Sequence, residues 1–145
     1  MNDIDNINMK YAFKEALCAL YNNEVPIGAV IVDDKNIILG KGHNMTNKLK
    51  DLSAHAEIQA MTAACNYLGS KYLKKCTLYV TLEPCMMCMG AAYLFMINRI
   101  VYGAKNSHKK FINHKKNIIL NFLNSSTEHS EMLKSFFKKK RIKYY

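Results

Sequence analysis

The sequence predicts a single α/β domain, and three observations support this prediction. The chain has 145 residues, which is about the size of one domain. Short apolar runs rich in β-branched residues alternate with longer segments of helical character. The sequence contains no internal repeat and no evident linker. Strands that alternate with helices predict a layered domain in which some strands pair in parallel.

The first half of the chain predicts a helix, a strand hairpin, a loop and a second helix. An amphipathic pattern indicates the first helix, which we expect to end near Asn22 and Asn23. The segment PIGAVIVDD has the composition of a buried strand, and IILGKG returns after a polar turn. The second helix contains no glycine or proline and stops at Gly69. The predicted bounds are 9–23 (helix), 26–34 and 37–42 (strands), 43–53 (loop) and 54–68 (helix).

The second half predicts a strand, a helix, a further strand and a C-terminal helix. The third helix is expected to start at Pro84, because proline favours the first helical position. Residues 105–128 are rich in lysine and asparagine, and we assign them no element. The predicted bounds are 76–82 and 99–104 for the strands, and 84–97 and 130–145 for the helices.

Positive charge is concentrated in the last part of the chain. The net charge is +10. Residues 1–104 carry 10 Lys and Arg against 9 Asp and Glu, whereas residues 105–145 carry 11 against 2. A basic tail on a neutral body favours a polyanionic partner, most simply nucleic acid. The alternative is compositional drift towards lysine, but drift would spread lysine along the whole chain.

The composition argues against membrane-spanning and secreted proteins. No run of about eighteen apolar residues is present, and the N-terminal MNDIDNINMKY has no apolar signal core. We therefore expect a cytoplasmic protein with no membrane partner. The five cysteines are irregularly spaced and do not suggest a disulfide framework. We expect Cys18, Cys65 and Cys76 to be buried, and His108, His114 and His129 to be solvated.

The segment PCMMC contains two candidate metal ligands. Cys85 and Cys88 are three residues apart at a predicted helix start, so they share a face. The helix N-terminus favours their thiolate forms. Two thiolates and one imidazole make a three-ligand zinc site that leaves a position for water, whose pKa zinc lowers to about 7.

The segment HAE offers the imidazole of His55 and the carboxylate of Glu57. Residues two apart point in roughly opposite directions in the middle of a helix. Both reach one site only at a helix N-terminus, and Asp51 and Ser53 are suitable N-cap residues before it. We therefore predict that two helix N-termini converge on one metal. Glu57 would stand beside the bound water as a proton shuttle and not as a ligand.

Each motif alone has an ordinary structural interpretation. A lone helical histidine is more often packed than ligating. A lone CxxC could be a redox pair, which is typical of thioredoxin-like βαβ units, or half of a four-ligand structural zinc site. The candidates for further ligands, Cys65, Cys76 and His43, belong to no second close pair. The apolar stretch 91–97 is either core or a partner interface, and the sequence leaves both open.

The segments EVPIGAVIV, HAEIQA, TLYVTLEPCMMCMGA and RIVYGAK together resemble the bacterial tRNA-specific adenosine deaminases. H-x-E followed by P-C-x-x-C is also the signature of the zinc-dependent base deaminases. The resemblance runs from about Tyr11 to Lys105 and resumes near Ser135. It implies a three-layer αβα cytidine deaminase-like fold with a central mixed sheet. It also implies a homodimer, one Zn²⁺ per subunit, and a single deaminase domain over residues 1–145 with a basic C-terminal helix.

The implied reaction is hydrolysis of adenosine to inosine at the wobble position of a tRNA anticodon, by zinc-bound hydroxide with a glutamate proton shuttle. His55, Cys85 and Cys88 match the family's zinc ligands, and Glu57 matches its general acid/base. The matched substrate-binding positions are Asn44, Val25, Pro26, Ala56 and Phe137, and the matched RNA-binding positions are Lys138, Lys139, Lys140 and Arg141.

The segment 106–128 departs from the family pattern, and Asn106 replaces a common acidic residue there. Two other functions share parts of the evidence. A guanine or other nucleobase or nucleotide deaminase would have the same zinc motifs, but a small base needs no basic tail. An inert, zinc-stabilised RNA-binding subunit would be expected to lack the proton shuttle, and Glu57 is present.

Overall fold

The computed structural model describes residues 3–106, 117–124 and 127–144, and within the last helix it describes the side chains of 129–139. These ranges contain five helices and five strands. In chain order they are α1 (Asp3–Tyr21), β1 (Gly28–Val32), β2 (Ile38–His43), α2 (Thr46–Leu49), α3 (Ala56–Leu68), β3 (Thr77–Val80), α4 (Met86–Leu94), β4 (Arg99–Tyr102), β5 (Ile119–Phe122) and α5 (Thr127–Tyr144).

The strands form one mixed sheet in the order β2-β1-β3-β4-β5. Strand β1 pairs antiparallel with both β2 and β3, and β3, β4 and β5 are mutually parallel. Helix α4 connects β3 to β4, because neighbouring parallel strands need a crossover. The predicted central mixed sheet is confirmed.

Helices cover both faces of the sheet, which confirms the predicted αβα layering. Strand β1 is buried along its whole length. Its side chains alternate between two cores: Ala29 and Ile31 pack with α3 and α4, whereas Val30 and Val32 pack with α1. A strand covered on both faces needs a continuous apolar run, and this one supplies it.

Two glycines of β2 allow α3 to lie unusually close to the sheet. A Cβ on Gly42 would lie 2.5 Å from the carbonyl oxygen of Ala56 and from the backbone nitrogen of Ala60. A Cβ on Gly40 would lie 2.5 Å from the carbonyl oxygen of Ala60. These are backbone atoms of α3, which cannot rotate away from a new Cβ as a flexible side chain can. The glycines therefore fix the position of α3 and of the residues at its first turn.

A buried ion pair ties the first turn of α1 to the sheet. Arg99 donates two hydrogen bonds to the carboxylate of Asp5, at 2.9 and 2.8 Å, and the Tyr79 hydroxyl donates a third at 2.7 Å. Arg99 Nε also donates to Asn121 Oδ1 at 2.6 Å. A buried carboxylate is tolerated only when it is paired in this way. The network joins α1, β3, β4 and β5.

Several predicted elements or bounds are wrong, and the three largest differences are these. Helix α1 begins at Asp3 and not at residue 9, because polar residues in its first turns have partners elsewhere in the fold. The predicted loop 43–53 contains the short helix α2. Strand β5 falls in the segment to which we assigned no element, since its residues are exposed or half-buried and give a weak pattern.

Predictions of burial had mixed outcomes. Cys76 is buried as predicted, but Cys65 is half-buried, and Cys18 is exposed on the outer side of α1. His129 is buried, with 2% of its surface exposed, and not solvated. His108 and His114 lie outside the described residues. In the stretch 91–97, two residues are buried (Ala92, Ile97) and three are exposed (Tyr93, Leu94, Met96). Among the described helices, none is both long and apolar enough to cross a membrane.

Candidate active site

His55 and Glu57 lie together at the N-terminus of α3. His55 is the N-cap residue, with an extended backbone (φ −76°, ψ 155°), and Glu57 is the second helical residue. In the middle of a helix, the side chains of residues two apart point in roughly opposite directions. This does not hold for His55 and Glu57, because the helix begins only after His55. Glu57 is 4% exposed and contacts the Cys88 thiol.

The cap of α3 comes from the loop that follows β2. Asn44 Oδ1 accepts a hydrogen bond of 2.9 Å from the Ala56 N–H. Asp51 and Ser53, the predicted N-cap residues, do not cap the helix. They bond to each other instead, since Asp51 Oδ1 accepts from the Ser53 N–H and hydroxyl at 2.8 and 2.6 Å. The prediction of a local cap is therefore wrong.

The two candidate thiol ligands lie at the N-terminus of α4. Cys85 is the N-cap residue (φ −72°, ψ 173°), and Cys88 is fully buried within the first turn. Pro84 precedes the N-cap and is not the first helical residue, so the predicted helix start is two residues too early. A proline here restricts the chain as it enters the helix.

The two helix ends bring three donor atoms together. His55 Nδ1 lies 3.6 Å from Cys85 Sγ and 3.5 Å from Cys88 Sγ. All three atoms lie within 4.8 Å of one another. A tetrahedral ion with Zn–S bonds of about 2.3 Å and a Zn–N bond of about 2.0–2.1 Å requires S···N separations of about 3.6 Å. The donor types and their spacing therefore fit zinc, with one coordination position left open.

The two thiols differ in protonation when no cation compensates their charge. The hydrogen bond from Cys88 lowers the pKa of Cys85 to about 4, and the contact with His55 acts in the same direction. The pKa of Cys88 is raised, first because of its hydrogen bond to Cys85 and then because it is buried. Two adjacent thiolates repel each other, so both ionise fully only beside a cation.

Glu57 is a buried carboxyl group beside these donors. Burial is the main cause that raises its pKa from 4.5 to about 7, and its own backbone N–H and His55 oppose that rise. A carboxyl group that titrates near neutrality can both take up and release a proton during a reaction.

Four of the residues predicted to bind substrate lie on two segments, 25–27 and the start of α3, or are Asn44, which makes hydrogen bonds with both segments. The Asn44 N–H donates to the Ile27 carbonyl at 3.2 Å, directly after Val25 and Pro26. Pro26 is buried and Val25 is half-buried. Ala56, which Asn44 caps, is fully buried. These contacts place the segment 25–27 beside the start of α3.

The residues predicted to contact RNA lie on α5. Phe137 is 44% exposed, and its ring meets the ring of Phe136 edge-on, with centroids 5.6 Å apart. Lys138 and Lys139 are exposed. Lys140 and Arg141 are within the helix, but their side chains fall outside the described part.

Glu24, which no sequence motif singled out, is 2% exposed and connects two segments of this region. Its carboxylate accepts hydrogen bonds from the Asn47 N–H at 3.0 Å and the Lys48 N–H at 2.8 Å. It therefore caps α2 and ties the loop 44–49 to the segment that begins at Val25. The available signal in the sequence was an acidic residue placed directly before an apolar strand.

Comparison with known proteins identifies the family. The profile of the MafB19-like deaminases matches residues 2–141. The tRNA-specific adenosine deaminase of Aquifex aeolicus (strain VF5) is 40% identical over 147 residues, which cover 92% of this chain and 93% of that protein. This chain belongs to the tRNA-specific adenosine deaminase family. The base deaminases that carry its two motifs are zinc enzymes.

Solved structures agree with this assignment. One comes from work on A-to-I editing by tRNA:A34 deaminases at the wobble position of transfer RNA. It has a TM-score of 0.77 and 34% identity, and covers 88% of this chain and 99% of its own. A guanine deaminase from Bacillus subtilis has a TM-score of 0.67 and 28% identity, with 95% of each chain covered. The tRNA deaminase is the more similar of these two.

Proposed function

We propose that this adenosine deaminase hydrolyses adenosine to inosine at the wobble position of a tRNA anticodon. One observation carries the proposal: a histidine and two cysteines converge beside a buried glutamate at two helix N-termini. The identity of 40% to a tRNA-specific adenosine deaminase along nearly its whole length supports the choice of substrate. Residues 1–145 act as a single deaminase domain with a basic C-terminal helix.

His55, Cys85 and Cys88 hold one Zn²⁺ per subunit. The match between their spacing and tetrahedral bond lengths supports this ligand set. When bound, zinc would act as a Lewis acid and lower the pKa of a water molecule bound to it to about 7.

Glu57 moves the protons of the reaction. Its carboxylate takes a proton from the attacking water, and its carboxyl form donates that proton to adenine N1. The water oxygen adds to C6. Glu57 then carries the remaining proton of the new C6 hydroxyl to the 6-amino group, and the C6–N bond breaks as the C6 carbonyl forms. One water is consumed and one ammonia is released. A buried carboxyl group with a pKa of about 7 suits both directions of transfer.

Asn44 and three neighbouring residues hold the base. The Oδ1 atom of Asn44 is used by Ala56, which leaves the Nδ2 group to donate to the substrate. Val25, Pro26 and Ala56 supply apolar walls that exclude water from the reacting atoms.

Helix α5 contacts the RNA around the target base. Phe137 offers an exposed aromatic ring on which an unpaired base can stack. Lys138, Lys139, Lys140 and Arg141 contact phosphates, so binding weakens as salt rises. The target adenosine lies in a single-stranded loop, where turning it out of the stack costs little.

Helix α4 supplies a homodimer interface. Its outer side exposes Met86 (57%), Tyr93 (48%) and Leu94 (73%). Gly90 lies among them, and a Cβ there would meet nothing within 4 Å. An exposed apolar face of this kind suits association with a second copy.

The proposed tRNA substrate is found in the cytoplasm, so we expect the enzyme to act there.

A substrate panel tests the function. The zinc-loaded protein is incubated with an anticodon stem-loop carrying wobble adenosine, and separately with free adenosine, guanine and cytidine, and the products are read by mass spectrometry. We expect inosine in the RNA and unchanged free bases and nucleosides. Conversion of guanine with untouched RNA would assign the chain to purine salvage instead.

A further inference from the structure

We infer that His129 is a positioning residue for the base pocket: its imidazole holds the Pro26 carbonyl and so couples helix α5 to the pocket wall. The inference rests on the proposed function, in which Val25 and Pro26 line the pocket and α5 contacts the RNA. It adds a residue that the sequence analysis assigned to solvent.

The contact joins two buried groups. His129 Nε2 lies 3.1 Å from the Pro26 carbonyl oxygen. A carbonyl oxygen only accepts, so Nε2 carries the hydrogen and His129 is the donor. His129 is 2% exposed, and its ring meets Phe13 of α1 edge-on with centroids 6.0 Å apart. Burial lowers the pKa of His129, which keeps the imidazole neutral at pH 7.

The pocket wall is a short turn in which successive backbone carbonyl groups accept hydrogen bonds. It starts at Glu24, whose carboxylate is fixed to α2. The Val25 carbonyl accepts a hydrogen bond of 2.8 Å from the Ile27 N–H, and Pro26 has no N–H to offer. The Pro26 carbonyl is the next polar group, and its donor comes from α5. Without a donor, this buried oxygen would be left without a hydrogen bond, which is energetically costly. We expect the turn to move until the oxygen finds another donor.

The position of His129 on α5 gives the contact a functional meaning. Phe137 and Lys138 lie about two turns further along the same helix, roughly 12 Å away at 1.5 Å per residue. One end of α5 therefore holds the wall of the base pocket, and the other carries the proposed RNA contacts. The same helix would then fix the position of the bound RNA relative to the base in the pocket.

Three substitutions of His129 separate its hydrogen bond from its packing. His129→Gln can place an amide N–H close to the Nε2 position. His129→Asn is one methylene shorter and cannot reach Pro26. His129→Phe keeps a ring against Phe13 but has no donor. The matched control is Leu133→Ala, one turn further on the same helix, because Leu133 is 8% exposed and its loss leaves the Pro26 contact in place.

The experiment measures kcat and KM for two anticodon stem-loops, one with adenosine and one with 2,6-diaminopurine at the wobble position. Zinc content and Tm are recorded for every variant. We expect His129→Asn and His129→Phe to lower kcat/KM for adenosine about tenfold and to reduce discrimination between the two bases. His129→Gln should stay within about threefold of the wild type. Leu133→Ala should lower Tm without changing discrimination.

Two results would overturn the inference while the proposed function stands. One is an active wild type for which a folded Asn or Phe variant equals the Gln variant. The other is a Leu133→Ala variant that loses discrimination as the donor-free variants do. A wild type inactive on both stem-loops would instead overturn the proposed function, and this inference with it.

Discussion

Asn44 caps α3 from outside the helix, because its Oδ1 atom accepts a 2.9 Å hydrogen bond from the N–H of Ala56. One atom of the amide thereby fixes the helix that carries Glu57. In the proposed function, the other atom of the amide binds the substrate, so the same side chain would position both the base and the proton shuttle.

Asn44→Asp should separate the two roles of Asn44. Aspartate keeps an oxygen for the Ala56 N–H but has no amide donor, so kcat/KM should fall about tenfold or more while Tm changes little. Asn44→Ala should lose activity and also about 1 kcal/mol of stability, because the cap is gone. Steady-state kinetics and thermal unfolding check both variants. An Asp variant with full activity would limit Asn44 to a structural role.

Zinc affinity should rise with pH. The raised pKa of Cys88 keeps its thiol protonated at neutral pH in the metal-free protein, so binding must displace a proton. Apparent affinity should therefore increase at least about tenfold per pH unit between about pH 6 and pH 8, because Cys88 releases one proton and the raised pKa of His55 adds a second proton at the lower end of this range. Competition with a chromophoric chelator measures this slope, with Cys18→Ser as the control. A flat profile would show that both thiols are already ionised.

Glu57 should make the stability of the metal-free protein fall as pH rises. Its pKa is raised from 4.5 to about 7, so its contribution to stability is complete below pH 4.5 and is lost as pH passes about 7. Glu57→Gln does not titrate. In the presence of a chelator, Tm of the Gln variant minus Tm of the wild type should increase from pH 4.5 to pH 8. A difference that is constant with pH would argue against the raised pKa.

Gly42→Ala should displace α3. The new Cβ would lie 2.5 Å from two backbone atoms of α3, so we expect a loss of about 2–3 kcal/mol and reduced activity. Gly69→Ala is the matched control, because Gly69 has a positive φ of 66° but open space around it. That change should cost about 1–2 kcal/mol without affecting kcat. Denaturant unfolding and kinetics distinguish the two, and equal effects would exclude the close packing as the cause.

Leu94→Glu should convert the proposed homodimer to a folded monomer. Leu94 is 73% exposed in the isolated subunit, so the change should leave the fold intact and act only at an interface. Leu52→Glu serves as the control, since Leu52 is 88% exposed on the loop before α3. Light scattering after size exclusion gives the mass of each. A dimer that persists in the Leu94 variant would place the interface elsewhere.

The parts of the site predictable from sequence are those with local patterns. HAE and PCMMC each lie at a helix start, and short spacing alone constrains His55, Glu57, Cys85 and Cys88. The order of apolar runs and helical segments predicted a layered domain with some parallel strands, and the resemblance to the deaminases implied the mixed sheet. The motifs are readable because their information lies within a few residues of chain.

The remaining parts depend on partners distant in sequence. Glu24 caps a helix more than twenty residues away, and His129 bonds to Pro26 across 103 residues. No local pattern distinguishes such a histidine from a solvated one. Strand β5 is short and only partly buried, so its hydrophobic signal is weak.

The most direct test of the account compares zinc-loaded wild type with Glu57→Gln on a wobble-adenosine stem-loop. Glutamine preserves the size of the side chain but cannot take up the proton. We expect inosine formation by the wild type and a rate at least about a hundredfold lower in the variant, at equal zinc content and RNA affinity. A zinc-loaded Gln variant that forms inosine at the wild-type rate would contradict the role of Glu57.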